Sequence, residues 1–141
     1  DRVNEVEETF IQMVLWAQNS LNAIPEISLF TNEKSILPGI TAFDTSGHSP
    51  GHSSILVESE GSKLIIGGDV IRNTYTSLKN PDFIPDTDMD PVKAKKTRHE
   101  ILDLLTKEKI AYLGYHFPFP GVGHIIAHEK SYEFIPASIR W

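Results

Sequence analysis

Residues 40–68 leave little choice of architecture. Three short runs, "ITAF" (40–43), "SSILVES" (53–59) and "KLIIGG" (63–68), read as β-strands separated by polar and glycine-containing turns. Glu60 and Gly61 between the second and third runs predict a tight hairpin. A buried-type strand is expected at "IAYLGY" (110–115), a loop at "HFPFPGVGH", and a last hairpin over 125–136 that turns at 129–131. Helical periodicity frames these strands. Val3, Val6, Phe10, Met13, Val14, Ala17 and Leu21 recur at three- and four-residue steps, which predicts a helix over about 2–23, stopped by Pro25. Asp1, Glu5, Glu7 and Glu8 suit its N-terminal turns, where the helix dipole favours acids. "SLFTNEKSIL" predicts a short strand, a polar turn at 31–34 and a second short extended segment. Asp90 as N-cap and Pro91 as first helical residue open a second helix to about Lys107, with Val92, Ala94, Ile101, Leu102, Leu104 and Leu105 on its apolar side. Residues 72–90 are irregular, and so long an unstructured stretch in a compact domain is usually functional or mobile. The order helix, strands, helix, strands predicts an α/β layered domain with sheet packed on helix.

Composition narrows the function classes. With 141 residues, 40% of them hydrophobic, the chain can bury one real core. Nineteen acids against thirteen bases, a net charge of −6 and no basic stripe argue against nucleic acid and against an anionic membrane surface. No run of about 18 apolar residues could span a bilayer. The absence of cysteine removes disulfides, thiolate metal sites and cysteine nucleophiles together. The chain starts at Asp1 rather than Met, with no visible signal peptide, so we expect further sequence upstream.

Any metal chemistry must therefore use histidine and carboxylates. Six histidines are present. His99, mid-helix between Arg98 and Glu100, and His128, at the tip of the last hairpin, read as surface residues. His48, Asp69 and His116 share a different context: each lies at or just beyond the end of a predicted strand. Ligands gather at the carboxyl ends of strands in α/β sheets, and two imidazoles with a carboxylate at one edge suit Zn²⁺ or a similar ion. The alternatives stand beside this. A histidine after a strand is often a hydrogen-bonded loop residue, and Asp69 after Gly67 and Gly68 suits a turn cap. Gly47, Gly51, Gly67 and Gly68 supply the backbone freedom that a close approach to one ion needs. Asp86, Asp88 and Asp90 alternate like a calcium loop, but the sixth position is Pro91 and the twelfth Thr97, so the EF-hand pattern fails. No nucleophile elbow and no phosphate-binding glycine loop is present.

"TSGHSPGH", "GGD" and "HFPFPGVGHI", in this order and spacing, resemble the C-terminal half of the metallo-β-lactamase fold hydrolases, closest to the branch of methyl parathion hydrolase and lactonase-like enzymes. The resemblance covers about residues 36–136. It implies the C-terminal half of a four-layer αβ/βα sandwich, with residues 1–141 forming part of one domain. It also implies a dinuclear site of two divalent metal ions, zinc foremost: His48 on one metal, His116 on the other, Asp69 bridging both, with His52 and His124 in supporting or structural roles. The implied activity is hydrolysis of an ester, lactone or phosphotriester, a small-molecule substrate, by metal-bound hydroxide. One departure stands out. The family's His-x-His-x-Asp-His motif has no counterpart in residues 1–47, which contain no histidine. Each metal would then receive one histidine and the shared Asp69, whereas a catalytic zinc wants three protein ligands. The expectation is that the N-terminal half lies outside this chain and that the chain alone is inactive. Two other outcomes are carried: a non-catalytic half-domain acting by association, through homodimerisation of the apolar face left bare, and an iron-dependent oxygenase or redox enzyme on the same fold.

Overall fold

The computed structural model describes residues 2–31 and 34–138, and the side chains among them from residue 8 onward. It divides at Phe30 and Thr31 into two compact units. The first holds α1 (Arg2–Asn22), as the apolar periodicity predicts. The helix closes with Ala23 N–H on the Asn19 carbonyl, and Pro25 follows. The strand expected at "SLF" does not form; residues 26–31 have no regular structure. A strand needs a neighbouring ladder for its backbone groups, and none of the described residues pairs with this run. Residues 32 and 33 of the expected turn lie outside the described residues.

The second unit is built on one sheet. Among the described residues it has seven strands in sequential order: β1 (Lys34–Leu37), β2 (Ile40–Asp44), β3 (Ser53–Ser59), β4 (Ser62–Ile66), β5 (Ala111–Leu113), β6 (Val122–Ala127) and β7 (Tyr132–Pro136). All neighbours are antiparallel except β4 and β5. That parallel pair requires a crossover, which contains α2 (Thr76–Lys79) and α3 (Pro91–Glu108). The hairpin between β3 and β4 turns on Glu60 (φ 50°) and Gly61 (φ 78°), the two positive-φ positions of a two-residue turn whose twist matches the strands.

Helix α3 starts as its sequence predicts. Asp90 accepts from Lys93 N–H at 3.0 Å and Pro91 occupies the first position. It ends on Lys109 in the left-handed conformation, φ 52°. Its buried stripe differs from expectation. Ala94, Thr97, Arg98, Ile101, Leu102 and Leu105 face inward, while Val92 is 78% exposed and Leu104 lies at the margin. Val92 lies on the opposite side of the first turn from the buried Ala94, two residues and about 200° away round the helix, and Arg98 takes a place that periodicity would give to an apolar residue. The helix packs over β6, and the core joins Ile101, Leu102 and Leu105 to Ile65, Tyr112 and Ile125 on one face of the sheet. Each fully buried Leu or Ile there contributes on the order of 1.5–3 kcal/mol.

The register places the rows Ile40–Val57–Leu64 and Ala42–Ile55–Ile66–Leu113–Val122 on the other face. That face is apolar as well, and Ile66, Ile126 and Ile135 on it are exposed. A sheet apolar on both faces is the pattern of strands covered from both sides. Two boundaries are also corrected. The strand at 110–115 is confined to Ala111–Leu113, because Gly114 and Tyr115 already turn. The expected loop "HFPFPGVGH" gives up its last three residues to β6, where Gly123 pairs with both Tyr112 and Pro136.

Candidate metal centre

Strand direction decides what meets. β2 is antiparallel to β3, β3 to β4, and β4 is parallel to β5. The carboxyl ends of β2, β4 and β5 therefore share one edge. His48 follows β2, Asp69 follows β4 and His116 follows β5, and all three side chains converge there. His48 Nε2 lies 3.2 Å from Asp69 Oδ2, and His116 Nε2 lies 3.4 Å from Asp69 Oδ1. One carboxylate thus faces a different imidazole with each oxygen. Asp69 Oδ1 is buried and has no hydrogen-bond partner among the described residues. An orphaned carboxylate oxygen is costly unless something else satisfies it.

These separations fit a cation between the pairs. A tetrahedron with metal–ligand bonds of about 2.0–2.1 Å has edges of about 3.3–3.4 Å, close to both nitrogen–oxygen distances. The residues come as two pairs sharing a member: among the described residues no group of three or more His, Cys, Asp or Glu side chains is arranged to hold an ion by itself. The donor set fits a divalent metal as part of a ligand shell.

His52 has a different task. Its Nε2 accepts the Asp69 backbone N–H at 3.0 Å, so its proton sits on Nδ1, which faces the Thr45 hydroxyl at 2.8 Å and the Thr45 carbonyl at 3.1 Å. The Thr45 hydroxyl continues to Ser54 Oγ at 2.9 Å, and Ser54 Oγ donates to the Gly67 carbonyl at 3.3 Å. This relay ties the loop after β2 to the turn that carries Asp69. Burial holds the His52 pKa below its ordinary value, opposed by the Thr45 carbonyl, which favours a protonated ring. Gly68 is required at this turn: its φ is +56°, and a Cβ would come 2.7 Å from His52 Nε2. Gly47 is required too, with φ +137° and its backbone against Ala94 at the start of α3, whereas Gly51 borders open space.

No family model matches the chain. An N-acyl homoserine lactonase of Bacillus thuringiensis is 32% identical over 104 residues, 74% of this chain and 38% of the relative. An N-acyl homoserine lactonase of a Bacillus species is 28% identical over the same length. Among solved structures, AidC, a dizinc quorum-quenching lactonase, superposes with a TM-score of 0.84 at 27% identity, covering 94% of this chain and 46% of that one. The hydrolase AbOPH of the beta lactamase superfamily gives 0.71 at 30% identity, covering 75% and 37%. The chain carries a C-terminal part of the metallo-β-lactamase fold. It spans less than half the length of these relatives.

Within this metallo-β-lactamase framework the other histidines fall away from the edge. His99 lies on the surface with Asp82 at 3.1 Å, and His128 with Glu133 at 2.9 Å, as expected of surface residues. His124 borders a cleft with Gly61, Lys63, Glu108 and Lys109, at the starts of β4 and β5 and the opposite end from Asp69 and His116. A supporting role for His124 at the metal edge is therefore corrected: β6 runs antiparallel to β5, so its early residues climb away from that edge. Sequence reasoning missed Asp88 and Arg98. Asp88 Oδ1 lies 3.0 Å from His48 Nδ1, and Asp88 Oδ2 lies 3.4 Å from the buried Arg98 guanidinium. A signal existed: Arg98 continues the inward stripe Ala94, Ile101, Leu105 at helical spacing.

Proposed function

We propose that this chain supplies one side of a dinuclear metal centre, zinc foremost, in a hydrolase of lactones, esters or phosphotriesters. The observation that carries the reading is the convergence of His48 and His116 on the two oxygens of Asp69. In this reading His48 would hold one metal and His116 the second, with Asp69 a ligand common to both. When bound, such a pair of metals supplies a hydroxide near neutral pH and polarises the scissile carbonyl or phosphoryl oxygen. The chain's own residues do the holding. His52 fixes the backbone of Asp69, which leaves both carboxylate oxygens turned toward imidazoles. The His/Asp donor set suits zinc and also accepts neighbouring divalent ions. The description of AidC as a dizinc lactonase and the N-acyl homoserine lactonases among the relatives support zinc and make an N-acyl homoserine lactone the first substrate to try.

The remaining ligands belong, in this reading, to the N-terminal half of the domain, and the apolar outer face of the sheet is where that half packs. A protein containing both halves is expected to carry about two metals per chain, and Asp69→Ala to lower metal content and lactone hydrolysis together. Unchanged metal in that variant on elemental analysis overturns the site. The 141-residue chain alone is expected to hold little metal and to turn over no substrate; tight stoichiometric zinc binding would overturn the divided ligand set. Iron with an oxygen-dependent product would move the reading to an oxygenase. The bare apolar face also favours a second reading, a non-catalytic half-domain acting by association, which lactone turnover by the complete protein excludes.

A further inference from the structure

Arg98 is the largest fully buried side chain among the described residues, at 1% exposure. A guanidinium out of water must find acceptors for its donors. Nε donates to the Val70 carbonyl at 3.3 Å, and one terminal nitrogen donates to the carbonyls of Pro81 (2.9 Å) and Phe83 (2.6 Å). The other terminal nitrogen reaches Asp88 Oδ2 at 3.4 Å. Three of these four partners are backbone groups that carry no formal charge. Asp88 is the carboxylate in contact with the buried cation, and its side chain is only 2% exposed.

The second oxygen of Asp88 then has one task. It faces His48 Nδ1 at 3.0 Å across 40 residues of sequence. With its other oxygen facing a buried guanidinium, the Asp88 carboxylate is the acceptor in this contact and Nδ1 the donor. Nε2, on the far side of the ring, points at Asp69 Oδ2. The same short segment grips the backbone beside this ring: Met89 N–H donates to the His48 carbonyl at 3.1 Å and Asp90 N–H to the Gly47 carbonyl at 2.9 Å.

We propose that Asp88, anchored by buried Arg98, is a positioning residue that fixes the orientation and tautomer of His48, keeping Nε2 as the nitrogen offered to a metal. Carboxylates recur behind metal-binding histidines because the second ring nitrogen must be protonated and held. The purpose of the device rests on His48 being a ligand; the geometry and its test do not. It also gives the irregular stretch before α3 a function: the stretch delivers Asp88 to the back of the His48 ring.

Long-range proton–nitrogen correlation spectra of the histidine rings test this in the metal-free 141-residue chain. Asp69→Ala provides the background, since it removes the rival acceptor on Nε2. At a pH where the ring is neutral, His48 is expected in the Nδ1–H form. Adding Asp88→Ala should return it to the Nε2–H form that a free imidazole prefers. If Asp88→Ala fails to fold around an unpaired buried guanidinium, the double change Asp88→Leu and Arg98→Met removes the ion pair as a unit and should give the same switch. His48 found as Nε2–H with Asp88 intact, or a tautomer unchanged once Asp88 is gone, overturns the proposal. Because the readout is taken without metal, a failed metal or lactone assay leaves it standing, and its failure leaves the hydrolase reading to its own test.

Discussion

A single carboxylate shows how the loop bearing His48 is shaped. Asp44 ends β2, and its Oδ1 accepts from the Ser46 backbone N–H at 2.8 Å and from the Ser46 hydroxyl, while Lys93 Nζ stands 3.6 Å from Oδ2. The Ser46 hydroxyl, then the Ser46 N–H, hold the Asp44 pKa below its usual value. A depressed carboxylate stabilises the fold fully above its unfolded pKa, about 3.9, and that contribution is lost as pH falls through the lower folded value. Asn at this position mimics the protonated acid. Thermal denaturation of Asp44→Asn should therefore trail the wild type at pH 5–8 and begin to converge with it only below about pH 4, as the pH falls toward the lowered folded value. A gap that persists to lower pH would show that charge is not what holds the loop. The pattern "TSGHSPGH" singles out His48 and His52 at this scale, but it cannot separate their tasks. Only their hydrogen bonds show that one ring faces Asp69's carboxylate and the other its backbone.

Elements were legible where their signals are local. The cap at Asp90, the turn at Glu60 and Gly61 and the runs that became β3 and β4 all follow from neighbours in sequence. Errors fell where a distant partner decides. The "SLF" run has strand composition and no ladder to join, and Val122–His124 became strand because β5 and β7 were there to pair with them. Helix α3 has more than a packing role, since its N-terminus abuts the His48 loop at Gly47 and its Arg98 holds Asp88. Asp90→Ala should cost about 0.5–2 kcal/mol of stability in denaturant melts, the usual effect of losing an N-cap acceptor. A change within measurement error would mean that the 3.0 Å contact to Lys93 N–H adds nothing.

Across the whole sheet unit the decisive feature is an apolar surface on both faces. One is filled by α3 and the core. The other leaves Ile66, Ile126 and Ile135 exposed, which is a larger liability than scattered surface apolars. Sedimentation of the 141-residue chain is expected to show concentration-dependent self-association, reduced by Ile66→Lys or Ile135→Lys without loss of the core fold. A monomer at all concentrations would show that this face does not drive association.

What the amino-acid sequence determined by itself was local. Strand and helix runs, the capping residues and the placement of His48, Asp69 and His116 just beyond strand ends follow from periodicity and from backbone rules that act over a few residues. That these ends lie on one edge depends on strand direction across β2, β3, β4 and β5, which the chain acquires only by pairing. The Asp88–Arg98 support was hidden for the same reason. Helical spacing puts Arg98 on the inward stripe of α3, but its partner comes from the loop at 81–88, and only burial makes the pairing with Asp88 necessary.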